Sequence, residues 1–155
     1  MNAPQEMDIW FMDYNQSKCK YLYYSFSKCL QINQSKSFYN TSDFQYTLQS
    51  CTDGNDSFPN LMVINMQMVI ADNWKLITNL NALHQDGACA TKVIYVTESY
   101  NLSDQFRAEE YTQTIGYFRK PLKRNGVMQT IYSHFGNYIK PREIGTKAVK
   151  GQMHY

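Results

Sequence analysis

The stretch "NLMVINMQMV" (Asn60–Val69) decides how this chain is read. It is a nearly continuous apolar run, and a strand covered on both faces reads this way because neither side meets water. Such a strand belongs to a parallel sheet with helices on each face. Asn65 and Gln67 stand out as carboxamides near the end of a buried segment. In parallel sheets the carboxyl ends of strands are where ligands and chemistry gather.

Outward from this stretch, strands and helices alternate. "DIWFMD" (Asp8–Asp13) is a first strand ending in an acid. "NQSKCKYLYYSFSKCLQI" spaces Cys19, Leu22, Phe26, Cys29 and Leu30 as the stripe of an amphipathic helix. "SFYNT" (Ser37–Thr41) reads as the second strand, and "SDFQYTLQSC", with its Ser-Asp cap signal, as a second helix with Phe44, Leu48 and Cys51 on one face. "DNWKLITNLNALHQDG" carries Trp74, Ile77, Leu80 and Leu83 along a third helix that ends near Gly87. "TKVIYVT" (Thr91–Thr97) is the fourth strand, "SDQFRAEEY" a fourth helix capped by Ser103, and "TIGYF" (Thr114–Phe118) the fifth strand. Val127, Ile131, Phe135 and Tyr138 mark a last helix that must accommodate Gly126 and Gly136. The expectation is an α/β domain over residues 7–140: a (βα)5, doubly wound, five-stranded parallel sheet. Residues 141–155 read as a flexible basic tail.

Composition narrows the function classes. The 155 residues are 43% hydrophobic and 18% charged, a globular balance with a net charge of only +2. Nucleic-acid binding is driven by clustered Lys and Arg, so no nucleic-acid partner is expected. No apolar run approaches a membrane span and the N-terminus lacks a signal-peptide pattern, so the expectation is a cytoplasmic protein away from membranes. Cys19, Cys29, Cys51 and Cys89 are too far apart for a zinc knuckle and read as small buried hydrophobes. His84, His134 and His154 have no matched acid or cysteine, so no metal site is expected. The Asn-x-Ser/Thr matches at Asn15, Asn33, Asn40, Asn55 and Asn101 read as products of an Asn- and Ser-rich composition.

The strand-end stretches "WFMDYN", "PNLMVINMQMVIADNW", "VIYVTES" and "GYFRKPL" occur in an order and spacing that resembles the response-regulator receiver domain of two-component signalling. The likeness covers about Asp8 to Ile139 and implies the flavodoxin-like receiver fold. In that family the first strand ends in paired acids, the third in the aspartate that accepts phosphate, the fourth in Thr or Ser, and the fifth leads to Lys-Pro. The resemblance implies that Thr97 is the hydroxyl for a phosphoryl oxygen and Lys120 the ammonium paired with it. It likewise implies that Pro121 is the proline after it and Tyr117 the aromatic that swings inward with the hydroxyl.

The departures from the pattern fall on the chemistry. Asn65 matches the phospho-acceptor position, and an amide is too poor a nucleophile to form an acyl phosphate. Tyr14 matches the second paired acid, Gln67 the position whose backbone carbonyl would meet the metal, and Asp13 alone keeps a carboxylate. The implied protein is an atypical receiver in phosphorelay signalling, no enzyme, with weak or absent Mg²⁺ binding. Its pocket is expected to be held by hydrogen bonds among Lys120, Asp13, Asn65 and Thr97, and its output to be phosphorylation-independent protein interaction. The family's docking face, made by the fourth helix, fifth strand and fifth helix, places Tyr100, Phe106 and Tyr111 as anchors. The expected partner is a histidine kinase, a downstream signalling protein or a second copy of the chain. The competing reading is a flavodoxin-like small-ligand-binding protein or enzyme using the same strand ends. It needs a phosphate-cradling loop or catalytic pair, and no G-x-S-x-G, Walker or G-x-G-x-x-G pattern occurs.

Overall fold

A computed structural model describes residues 5–138, so the basic stretch over 141–155 and His154 lie outside the described residues. Five strands, β1 (Met7–Met12), β2 (Ile32–Phe38), β3 (Leu61–Asn65), β4 (Lys92–Thr97) and β5 (Thr114–Arg119), pair in parallel in the order β2-β1-β3-β4-β5. The helices are α1 (Gln16–Ser27), α2 (Thr41–Thr52), α3 (Met66–Ala71), α4 (Lys75–Gln85), α5 (Leu102–Glu109) and α6 (Arg124–Phe135). A short 3₁₀ turn over Gly136–Tyr138 follows α6.

The doubly wound expectation holds because the central strands are apolar on both faces. Trp10, Met12, Met62, Ile64, Val93 and Tyr95 face one core layer, with α2, α3, α4 and Ala108 of α5 against them. Ile9, Phe11, Leu61, Val63, Ile94 and Val96 face the other, covered by α1 and α6. Trp10, Phe38 and Phe44 meet edge to face at centroid separations of 5.2, 5.6 and 5.3 Å, which fastens the edge strand β2 and helix α2 to β1. All four cysteines are free and buried, as small core hydrophobes would be.

The structure corrects the sequence reading in four places. The strand expected over Asn60–Val69 ends at Asn65, and α3 begins at once, because the Asn65 side chain accepts the Gln67 N–H at 2.9 Å and caps the helix. A short apolar run suits a buried strand or a buried helix equally, so periodicity could not separate them. The third expected helix is present as α4 but begins at Lys75 rather than Asp72, because Asn73 and Trp74 adopt positive φ of 57° and 65° and separate it from α3. Trp74 is held there by its N–H to the Val69 carbonyl at 2.9 Å and by burial to 4% exposure. The second strand lies upstream of Ser37–Thr41, at Ile32–Phe38, and the first helix stops at Ser27. β2 is an edge strand whose side chains from Asn33 to Ser37 are exposed, so it carries no apolar signal. Finally, Asn40 and Asn101, rather than Ser42–Asp43 and Ser103, cap the second and fourth expected helices, accepting from Asp43 and Asp104 N–H groups at 2.8 and 3.1 Å.

Gln113, just before β5, is fully buried, yet neither its Nε2 nor its Oε1 has a hydrogen-bond partner among the described residues. A buried amide left unpaired costs roughly 1–3 kcal/mol. Gln113→Met, close in shape and without the amide, is therefore expected to raise the urea midpoint at unchanged m-value, by about 1–3 kcal/mol. A lowered midpoint would show that the amide is satisfied in solution.

Candidate functional site

The strand order reverses at β1, which runs on to β2 on one side and has β3 on the other, so the crevice above their carboxyl ends is the topological switch point. Asp13 follows β1 there and is 1% exposed; Asn65 ends β3 at 6% and Thr97 ends β4 at 1%. Lys120 follows β5, donates its N–H to the Thr97 carbonyl at 2.7 Å, and keeps its side chain only 12% exposed. The Lys120–Pro121 peptide bond is cis.

The Asp13 carboxylate is the hub. Its Oδ2 accepts from Asn65 Nδ2 at 3.0 Å and from Lys120 Nζ at 3.3 Å, while Oδ1 accepts the Asn15 N–H at 3.0 Å. The Asn65 amide is used at both ends, donating to Asp13 and accepting from Gln67 N–H. A second acid, Glu98, lies 3.9 Å from Lys120 Nζ and pairs with Lys18 at the start of α1. The Lys18 contact pulls the Glu98 carboxyl below its ordinary value, and Glu98 in turn raises the Lys18 ammonium. The crevice therefore holds two acids and two lysines, a balanced set. Among the described residues no three His, Cys, Asp or Glu side chains come together as a metal cluster.

Sequence reasoning placed Asp13, Asn65 and Lys120 in contact, as observed, but Thr97 differs from expectation. Thr97 does not hydrogen-bond into the pocket: its hydroxyl donates to the Ser99 carbonyl at 2.8 Å. Tyr14, which stands at the position of the second paired acid, is 53% exposed. Gln67 is exposed on α3 and takes part only through its backbone N–H. Lys18 was missed; its pairing with Glu98 is made by α1 docking against the end of β4, which no local pattern encodes.

Beside the crevice, three tyrosines form a line from the surface inward. Tyr100 is 52% exposed and packs edge to face on half-buried Tyr117 at 6.3 Å, and Tyr117 packs on fully buried Tyr95 at 6.3 Å. Burial pushes both inner phenols above their ordinary value, with the Asp104 charge adding to the effect on Tyr117. Phe106 and Leu102 on α5 are 58% and 52% exposed. Tyr111, expected as a third exposed anchor, is instead half-buried against the core layer.

This topology, with its crevice between β1 and β3 and a lysine reaching it from β5, decides the fold. It is the receiver fold. A two-component response regulator from Cytophaga hutchinsonii matches with a TM-score of 0.65 at 16% identity, over 85% of this chain and 99% of that one. A signal receiver domain of a histidine kinase from Clostridium thermocellum matches at 0.65 and 15%, over 84% and 98%. The signal receiver domain of an HD domain-containing protein from Pseudomonas fluorescens matches at 0.63 and 16%, over 85% and 96%. No family model and no curated protein sequence matches the chain. The likeness is thus carried by the receiver fold rather than by overall sequence.

Within this receiver fold the Asp13–Lys120 pair can be tested directly. Lys120→Met leaves a nearly fully buried carboxylate without its counter-charge and is expected to destabilise the protein by about 3 kcal/mol. The double variant Lys120→Met/Asp13→Asn removes both charges and should recover most of that loss in a urea-denaturation cycle. Strictly additive effects would mean that the two groups do not interact in solution.

Proposed function

We propose that the chain is a receiver-fold signalling module that works by protein interaction and accepts no phosphoryl group. The observation that carries this reading is the Asn65 amide, which donates to Asp13 Oδ2 at 3.0 Å beside the Lys120 ammonium at 3.3 Å. An acyl phosphate needs a carboxylate nucleophile, and the amide is neutral and already engaged at both ends. By its position at the end of β3, Asn65 stands for the phospho-acceptor of the receiver family, and Asp13, Tyr14 and Gln67 for its metal-binding surround.

The donor set does not fit Mg²⁺. This ion prefers oxygen ligands in near-octahedral array, held by carboxylates with phosphate and water. Among the described residues Asp13 is the one carboxylate directly at the pocket's base, both of its oxygens already accept hydrogen bonds, and an ammonium lies within 3.3 Å. Lys120 supplies the positive charge that a cation would otherwise bring. The protein therefore needs no metal cofactor and carries out no reaction of its own. Its output is contact with a histidine kinase, a downstream signalling protein or a second copy, through the face formed by α5, β5 and α6. Exposed Tyr100 and Phe106 offer the aromatic anchors such contacts favour.

Incubation with a small-molecule phosphodonor and Mg²⁺, read by intact mass, should leave the mass unchanged; an acid-labile phosphoryl adduct would overturn the proposal. Asn65→Asp places a second carboxylate about 3 Å from Asp13, where like charges repel. This variant should melt below the parent protein in EDTA and recover with Mg²⁺, whereas the parent should not respond. A variant indifferent to Mg²⁺ would remove the assignment of the pocket.

A further inference from the structure

The end of β5 and the first turn of α6 enclose an open cavity of about 630 Å³ that takes no part in the crevice chemistry. Tyr117 and Phe118 give it an apolar lining, and Arg119, Lys123 and Arg124 give it charge; no acid lines it. All three cations are exposed, and neither Arg119 nor Lys123 forms an ion pair with a described residue. α6 starts here with no side-chain cap and no acid in its first turn, so the positive end of its dipole adds to the field.

The backbone adds a second feature. Among the described residues β5 is an edge strand, bonded to β4 alone. Lys120 donates inward, to the Thr97 carbonyl, so strand alternation turns the N–H and C=O groups of Tyr117 and Arg119 outward, and both residues line the cavity. Cationic side chains thus flank a short row of free strand-pairing groups. Gly126, in α6, lines the same cavity without adding a side chain to it.

We propose that this cavity is the docking groove for an extended acidic segment of a protein partner. The segment adds a strand to the free edge of β5, and its carboxylates meet Arg119, Lys123 and Arg124. This inference rests on the interaction-module reading and names the chemistry of its partner. Cations spread over two elements, with strand-pairing groups between them, match a chain bearing several negative charges better than a single small anion. A second copy fits less well, because the acid-rich segment flanking β5, α5 with Asp104, Glu109 and the adjoining Glu110, is helical and cannot add a strand. Those acids also repel an acidic chain from the α5 side, which confines it to the α6 side.

The test is fluorescence anisotropy of a labelled peptide alternating Glu and Val, titrated with the full chain. Saturable binding is expected, weakened at least about tenfold by Arg119→Glu/Lys123→Glu and by a comparable factor when alternate peptide amides are N-methylated. Circular dichroism confirms that the variant is folded, and Lys20→Glu on α1 serves as a charge control that should leave binding intact. The inference is overturned by absent binding, by equal binding of the N-methylated peptide, or by equal weakening from Lys20→Glu. It is also overturned if inorganic phosphate alone displaces the peptide completely, or if sedimentation shows self-association that Arg119→Glu/Lys123→Glu abolishes. Failure of peptide binding in a protein that takes up no phosphoryl group removes this inference alone. A phosphoryl adduct with intact peptide binding removes the proposed function alone.

Discussion

A carboxylate at 1% exposure is a liability for any fold unless its charge is answered, and the Asp13 site is organised around that requirement. Its three donors come from three places: the loop after β1 through Asn15, the end of β3 through Asn65, and the segment after β5 through Lys120. Lys120 reaches across β4 and β3 to Asp13 and also bonds the β4 end through its backbone. One buried charge therefore fixes the relative positions of four strand ends. Glu98 and Lys18 extend the arrangement to α1, at the surface, where solvent screens the pair and its contribution to stability is small.

The same residue that answers Asp13 also starts α3. Because Asn65 caps that helix, the crevice and the layer containing Met66, Met68 and Val69 are directly joined without an intervening loop. α3 then leads into the positive-φ pair Asn73–Trp74, and the Trp74 ring lies under the Arg107 guanidinium of α5 at 4.3 Å. α5 buries only Ala108. Its attachment depends on this cation–π contact, on Thr114 Oγ1 donating to the Ala108 carbonyl at 2.7 Å, and on the Tyr100–Tyr117 contact. A helix held by so few buried groups belongs to the low-stability end of a fold. Phe106 of the proposed partner face sits on that element, and Tyr100 lies just before it.

The parts legible in the sequence were those written in side-chain hydrophobicity. β1, β4, β5 and the continuous apolar run of β3 announced a parallel sheet, and the strand ends led to Asp13, Asn65 and Lys120. What was illegible was set by the backbone or by tertiary contact. β2 pairs through its main chain while showing polar side chains to solvent, and the α3–α4 break depends on two residues held in the left-handed region by burial of Trp74. The orientations of Thr97 and Tyr14 and the Lys18–Glu98 pair are settled only when loops and helices dock. The Asn-x-Ser pattern held more information than it was given: Asn15, Asn40 and Asn101 each cap a helix, so the abundance of Asn reflects how helices start here.

The two tryptophans of the chain, Trp10 and Trp74, lie in the same core layer, one against Phe38 and Phe44 and the other beneath Arg107. The layer formed by α1 and α6 on the opposite side of the sheet contains neither. Intrinsic tryptophan emission is therefore a one-sided reporter of this molecule: loosening of α1 and α6 alone would leave it nearly unchanged while ellipticity fell, and only collapse of the α2–α5 side would register in both signals.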